Sequence, residues 1–164
     1  MNDRVDHDCI GCGGRFKTGP DANDSHAYML SSAGCWSAYG EVLTREYQDP
    51  TLFTQCHRLT VDAYAVQHRG DPGDRRAVRS VWLHFAALDI IFGQGGSFDD
   101  ALAVLRRLAE MPLPELPATK PVFSMTLEHV VAAGPDRHVG AVRAWAQSAH
   151  AAWRPLLVGQ LPAR

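Results

Sequence analysis

The most constraining feature of this sequence is an N-terminal stretch that contains cysteines but no sustained hydrophobic period. Residues 1–30 are rich in Gly, Asp, Asn and Ser, and they include Cys9 and Cys12 in the run CIGCGG. A segment of this composition cannot bury a hydrophobic core of its own. Something other than apolar packing must therefore hold it. We interpret residues 1–30 as an irregular lobe that is attached to a larger folded unit.

Helical periodicity dominates the chain after this lobe. Each predicted helix starts at a side chain that can accept a hydrogen bond from the first helical turn. The start residues are Ser31 or Ser32, Asp49, Asp74 and Ser97. Apolar residues follow at spacings of three and four, and glycines end several of the patterns. These signals predict four helices, over 31–48, 49–69, 74–93 and 97–110.

A proline-rich segment separates these helices from two more. Residues 112–121 contain four prolines, which excludes a helix and predicts an extended surface connection. Helical spacing then predicts a short helix over 126–133 and a longer one over 136–158. Because strand signals are nearly absent, we predict an all-α fold, a small helical bundle in one domain. Its expected parts are the lobe 1–30, helices over 31–111, the proline-rich connection 112–123 and the C-terminal helices 124–160.

Composition excludes two classes of partner. The chain has 164 residues, 46% of them hydrophobic, and a net charge of −2, so it offers no basic surface to nucleic acid. Its richest apolar run, 81–92, contains His84 and Asp89 and is far shorter than the ~20 residues of a membrane span. The acidic N-terminus lacks the pattern of an export signal. We therefore expect a cytoplasmic protein with reduced thiols.

The spacing of three cysteines predicts a metal site. Cys9 and Cys12 are separated by two residues, so both sulfurs can face one ion, and the glycines that follow permit a tight turn. Cys35 falls in the first turn of the first predicted helix, where the helix dipole favours a thiolate. Three thiolates indicate zinc, which makes the lobe a Cys-rich zinc knuckle. Cys56 lies on an apolar part of the second helix, where packing is the better interpretation.

Two histidines of the second predicted helix compete for the fourth position of the zinc ion. His57 and His68 lie on one helical stripe together with Tyr64. If the first two helices are antiparallel, the position of Cys35 along the helix axis falls between those of His57 and His68. Helical side chains lean toward the N-terminus of their helix, which brings His68 toward Cys35 and takes His57 away from it. We expect His68 as the ligand, with His57 as second choice and His26 of the lobe below both.

Three other polar residues are candidates for catalysis: Tyr64, Asp62 and His84. Asp62 lies on the opposite side of the second helix from His57, so we interpret it as a surface or outer-sphere residue that pairs with Arg58. His84 falls in the middle of the apolar face of the third helix. A histidine there is more often a satisfied core residue, although it could also approach His57 and Tyr64 in a polar or metal site.

These motifs resemble those of an uncharacterised family of short bacterial proteins with a domain of unknown function. The resemblance rests on CIGCG at Cys9, on the Cys35-Trp36 dipeptide and on HRLTVDAYAVQH over 57–68. The runs SVWLHFAAL and GAVRAWAQSAHAAW resemble its continuation. One departure is local, because Arg69 is followed by Gly where Pro-Gly is usual. The resemblance implies metal binding by the Cys and His residues and brings no activity with it.

Three functions are compatible with the sequence. The first is a helical protein whose lobe is fastened by a structural zinc ion in a closed Cys3His site. The second is a metal-dependent hydrolase or transferase in which three ligands hold a water-bearing ion and Tyr64, Asp62 or His84 assists. The third is a protein-binding or small-molecule-binding sensor module that uses the proline-rich segment or the face of Trp145 and Trp153. Homodimerisation is compatible with all three.

Overall fold

The chain folds as a helical bundle with a small β-hairpin at its N-terminal end. The structure, a computed structural model, describes residues 5–18 and 28–161. The hairpin consists of β1 (Val5–Asp8) and β2 (Arg15–Thr18). The α-helices are α1 (Ala33–Gln48), α2 (Pro50–Leu52), α3 (Arg58–Gln67), α4 (Arg75–Leu88), α5 (Phe98–Ala109), α6 (Leu127–Ala133) and α7 (His138–Leu157). Two π-helical turns, Phe53–His57 and Asp89–Gly93, and two 3-10 turns, Pro135–Arg137 and Val158–Gln160, continue them.

The predicted helix starts are confirmed by their caps. Ser32 accepts a hydrogen bond from the backbone N–H of Cys35, and Asp49 accepts bonds from the next helical turn. Asp74 caps α4, and Ser97 forms a reciprocal capping box ahead of α5. A cap satisfies N–H groups that have no partner inside the helix. Helix starts are therefore encoded by a few adjacent residues, which is why sequence alone located them.

The second predicted helix differs from expectation because it is not regular. A π-helical turn over Phe53–His57 separates α2 from α3, and the regular helix ends at Gln67. His68 is the C-terminal cap, with φ −115° and ψ 53°. A π turn inserts one extra residue into a helical turn and rotates the side chains before it relative to those after it. The predicted third helix ends in the same way, with the π turn Asp89–Gly93.

The prediction of a wholly irregular lobe is wrong for residues 5–18. Strands β1 and β2 pair antiparallel, with Val5 opposite Thr18 and Asp8 opposite Arg15. Each strand has four residues, and Phe16 is the one buried hydrophobic residue of β2. So short a pattern gives almost no alternation to detect. The pairing positions the loop that carries Cys9 and Cys12.

The core is centred on α3, which packs against α4 and α7. All residues of α3 from Leu59 to Gln67 are buried except Val61. The side chains of Trp82, Trp145 and Trp153 are fully buried around it. The Trp145 and Trp153 face, which could have been a binding surface, is therefore part of the core. A helix covered on nearly every side must also bury its polar residues. Each of these needs a hydrogen-bond partner, because a buried polar group without one costs free energy.

The proline-rich connection is held by side chains in place of regular secondary structure. Trp82 donates from Nε1 to the carbonyl of Pro114 at 2.7 Å, and Arg69 donates to the carbonyl of Pro117 at 2.6 Å. Lys120 donates from Nζ to the carbonyl of Ile10 at 2.7 Å. Extended segments need such donors because their carbonyls have no ladder partner. The connection thereby ties the cysteine loop of the hairpin to the bundle.

Among the residues described, no helix has the length and apolar character needed to cross a membrane.

Candidate metal centre

Three cysteines and one histidine converge where the hairpin meets the bundle. The side chains of Cys9, Cys12, Cys35 and His68 are at most 4% exposed, and their ligand atoms all lie within 4.8 Å of one another. The sulfurs of Cys12 and Cys35 are 4.0 Å apart, and the Cys35 sulfur is 3.3 Å from Nε2 of His68. The cluster thus unites two residues of the hairpin loop, one of α1 and one at the end of α3.

These separations match the edges of a tetrahedron around zinc. With Zn–S bonds of about 2.3 Å and Zn–N bonds of about 2.0–2.1 Å, a tetrahedral site has S···S edges of about 3.8 Å and S···N edges of about 3.5 Å. The observed 4.0 and 3.3 Å each differ from those values by only about 0.2 Å. A Cys3His donor set is also a usual one for structural zinc. The residues present therefore fit the metal.

The hairpin loop has the backbone freedom that this convergence requires. Gly13 adopts φ 79°, in the left-handed region that favours glycine, and its N–H donates to the carbonyl of Cys9 at 2.8 Å. Gly11 lies against the His68 ring and the carbonyl of Leu30, and a Cβ at this position would overlap both. Two of the three glycines in the CIGCGG run thus serve different purposes: Gly13 permits the turn and Gly11 permits close packing.

Hydrogen-bond donors surround the sulfurs and favour their ionised form. The backbone N–H groups of Gly14 and Ser32 donate to the sulfurs of Cys12 and Cys9, at 3.4 and 3.3 Å. The Tyr64 hydroxyl donates to the Cys35 sulfur at 3.6 Å, and burial raises the pKa of Tyr64, which keeps its proton in place. Three thiolates and one divalent ion leave a single negative charge, which such donors stabilise.

The tautomer of His68 suits a metal ligand. Its Nδ1 lies 2.7 Å from the backbone carbonyl of Tyr64, which can only accept, so Nδ1 carries the proton. Nε2 is then unprotonated and directs its lone pair at the cluster, 3.3 Å from the Cys35 sulfur. The ring also stacks on the ring of Tyr64, with centroids 3.8 Å apart. Metal-bound histidines are oriented in this way by a bond from their second nitrogen.

Without a cation the three thiols cannot all ionise. Hydrogen bonds with Cys12 and Cys35 lower the pKa of Cys9, so the first negative charge resides there. Hydrogen bonds with Cys12 and Cys9, and burial, raise the pKa of Cys35. For Cys12, the hydrogen bond with Cys35 lowers the pKa. The hydrogen bond with Cys9 and burial outweigh that effect and raise the pKa of Cys12 to about 12. A bound divalent cation supplies the charge that permits three adjacent thiolates.

Of the two competing histidines, the structure brings His68 to the cysteines and places His57 elsewhere. His57 Nδ1 lies 2.8 Å from a carboxylate oxygen of Glu46, near the other end of the paired helices. The outcome follows the lean of helical side chains toward the N-terminus, because Cys35 and His68 lean toward each other. The third alternative, His26, lies outside the described residues.

Two of the three catalytic candidates, Asp62 and His84, contact each other, and the third, Tyr64, lies beside the cysteines. Asp62 is fully buried, so the surface interpretation is wrong, whereas its predicted pairing with Arg58 is present at 2.7 Å. His84 bonds the same carboxylate at 2.6 Å, as a satisfied histidine does. Asp62 is buried because α4 packs against that side of α3. Tyr64 bonds Ser31 at 2.6 Å and belongs to the surroundings of the cysteines.

Sequence reasoning missed a second buried polar cluster, centred on Glu46. Its carboxylate meets Thr60, His57 and, from α7, His138. A signal existed, because Glu46 continues the buried α1 positions Cys35, Tyr39 and Val42 at helical spacing. The aromatic residues of α1 are a poorer guide to its buried face, because Trp36 and Tyr47 are not buried. A similar pair, Asp89 with His150 at 2.9 Å, connects the second π turn to α7.

The fold and this site define a class, a small helical protein with a Cys3His cluster able to hold a metal ion. The family model described as a family of unknown function (DUF5946) matches residues 7–154, and the chain belongs to this family. The matched range includes all four residues of the cluster. A comparison with curated proteins found no match, and neither did one with solved structures.

Proposed function

We propose that this protein binds a structural zinc ion through Cys9, Cys12, Cys35 and His68. The ion fastens the N-terminal hairpin to the helical bundle. The convergence of four buried donor atoms within 4.8 Å of one another, two of whose separations are close to tetrahedral edges, carries this proposal. The hairpin has little apolar surface of its own, so the metal–ligand bonds supply the free energy that holds it.

The closed ligand set supports a structural role over a catalytic one. Four protein donors complete a tetrahedral zinc ion and leave no position for water or substrate. The donors are also buried, and Lys120 covers the cysteine loop with hydrogen bonds to Ile10 and Gly11. The enzyme alternative receives no comparable support, because Asp62 and His84 are engaged with each other between α3 and α4.

Metal analysis combined with hydrogen exchange tests the proposal. The purified protein should contain zinc, and removing it with a chelator should raise amide exchange in residues 5–18 far more than in α4 or α5. His68→Asn should lose the metal of this centre, and His7→Asn is the matched control because His7 lies on the exposed part of β1. An unaltered exchange pattern in the hairpin after the metal is removed would refute the structural role.

A further inference from the structure

Helix α5 is attached to the bundle along a narrow strip, and apolar side chains next to that strip are uncovered. Of its twelve residues, only Ala101 and Leu108 are buried. The helix packs mainly against α4 and the second π turn. Phe98 and Leu102, in contrast, are 37% and 42% exposed. The helix therefore presents apolar surface that the described part of the chain does not cover.

Phe98 and Leu102 belong to a stripe with regular helical spacing. Leu105, which is partly buried, and Ala109, which is exposed, continue it, so the intervals are four, three and four residues. At 3.6 residues per turn, these four positions fall within about 60° of one another around the helix. Alternating intervals of three and four are those of the residues that two paired helices bury between them.

Opposite charges lie near the two ends of α5, on the outer flank of this stripe. Asp99 is in the first turn and Arg106 is in the last. They are seven residues apart, so they lie on the same side of the helix, about 10.5 Å from each other along its axis. Both are exposed, and neither side chain forms an ion pair with a residue that the structure describes. This placement makes α5 complementary in charge to a copy that runs in the opposite direction.

An antiparallel second copy satisfies both the stripe and the charges. If Leu102 of one copy packs against Leu105 of the other, the two-fold axis crosses the middle of α5. The rotation reverses the direction of the helix and keeps the charged flanks of both copies on the same side. Asp99 of each copy then comes within about 3 Å, along the axis, of Arg106 of the other copy. One arrangement thus produces two leucine contacts and two ion pairs.

We propose that α5 is the contact surface of a homodimer, in which two copies of the helix pair antiparallel through the stripe Phe98, Leu102, Leu105 and Ala109. Because the same surface is used on both copies, the contact closes at two chains. Burial of the stripe adds apolar contacts to a helix that its own chain holds only along a strip. The dimer is independent of the zinc centre, since none of the four proposed ligands lies on α5.

Size-exclusion chromatography with light scattering, applied to the full chain over a series of concentrations, tests the dimer. The wild-type chain should reach the mass of two chains, whereas Leu102→Glu should keep the mass of one. Arg107→Asp is the matched control and should stay dimeric. It also reverses a charge in the last turn, but Arg107 borders the groove lined by Gln94 and Gly96, on the other side of the helix.

Charge reversal tests the antiparallel arrangement itself. Asp99→Arg alone and Arg106→Asp alone each bring like charges together twice in a dimer, so both variants should be monomeric. An equimolar mixture of the two variants should form a mixed dimer, because each variant supplies the charge that the other lacks. The variant that carries both reversals should pair with itself again for the same reason.

Three results would overturn the proposal. A wild-type chain that is monomeric at every concentration excludes the dimer. A dimer that persists in Leu102→Glu, or in both charge-reversal variants, does not use this surface. Monomeric charge-reversal variants whose mixture also stays monomeric refute the antiparallel pairing. Far-ultraviolet circular dichroism verifies that each variant is helical, and if Leu102→Glu is not, the charge reversals at the exposed Asp99 and Arg106 give the same comparison.

Discussion

The two ends of the α1–α3 pair show two ways of burying polar side chains. Cys35 and His68 lie at one end, and Glu46 and His57 lie at the other, so the two clusters are about 16 Å apart along α1 at 1.5 Å per residue. The first cluster consists mainly of thiols, which are weak hydrogen-bond donors. The second contains a carboxylate with strong donors on both oxygens. We therefore expect the first end to depend on a metal ion, whereas hydrogen bonds satisfy the polar groups of the second end.

The largest effect is expected from Cys35→Ser, because this sulfur lies in the middle of the first cluster, close to both Cys12 and His68. The variant should lose its zinc and be destabilised by more than about 4 kcal/mol, the range reached when a metal is lost. Urea unfolding followed by circular dichroism, together with zinc analysis, measures both. If the variant lost its zinc but kept wild-type stability, the first end would not depend on a metal ion and the proposed difference between the two ends would be wrong.

Glu46→Ala should have the next largest effect. It leaves His57, Thr60 and His138 without their shared acceptor, and each buried donor left without a partner costs about 1–3 kcal/mol. Thermal unfolding measures the loss. Glu46→Gln is the matched control, since it keeps the shape and one acceptor oxygen, and it should lie between wild type and Glu46→Ala. Equal stability of Glu46→Ala and wild type would show that the carboxylate is not what organises this end.

A pair of histidine variants sharpens the comparison, and of the two His57→Asn should have the smaller effect. His57→Asn should leave the zinc content of the Cys3His centre unchanged and reduce stability by about 1.5–3 kcal/mol, the value of a hydrogen bond to a charged group. His68→Asn should release the ion of that centre. Zinc content per molecule, together with thermal unfolding, distinguishes the two. If instead His57→Asn released that ion, the pairing of His68 with Cys35 would be refuted.

The smallest effect is expected from Tyr64→Phe, which removes only the hydroxyl beside the Cys35 sulfur and Ser31. The zinc ion should stay bound, with affinity lowered about tenfold, as for the removal of other outer-sphere partners of metal ligands. Competition with a chromophoric chelator measures the affinity. Complete loss of zinc in Tyr64→Phe would instead make the phenol as important as a ligand. The Tyr39 ring stacks on Tyr64, so Tyr39→Phe is a control that alters the neighbouring ring and leaves the sulfur contact in place.

Local signals account for the parts of the fold that were predicted correctly. Ser32, Asp74 and Ser97 define helix starts through bonds to residues two or three positions away. Local signals also identified the four residues of the cluster. The CxxC spacing indicated Cys9 and Cys12, the position in the first helical turn indicated Cys35, and the lean of helical side chains indicated His68. The β-hairpin was missed because its strands are four residues long and mostly polar. The π turns were missed because each spans only five residues within a longer helical run.

Sequence by itself determined the helices, their caps and a donor set suited to zinc, because these depend on neighbours along the chain. Only the tertiary structure decided which polar residues are buried and with what partners. Asp62 is buried because α4 covers it, and Glu46 is buried because His138, 92 residues further along, meets its carboxylate. The cost of burying a charge depends on partners from distant elements, and no local pattern records where those elements pack.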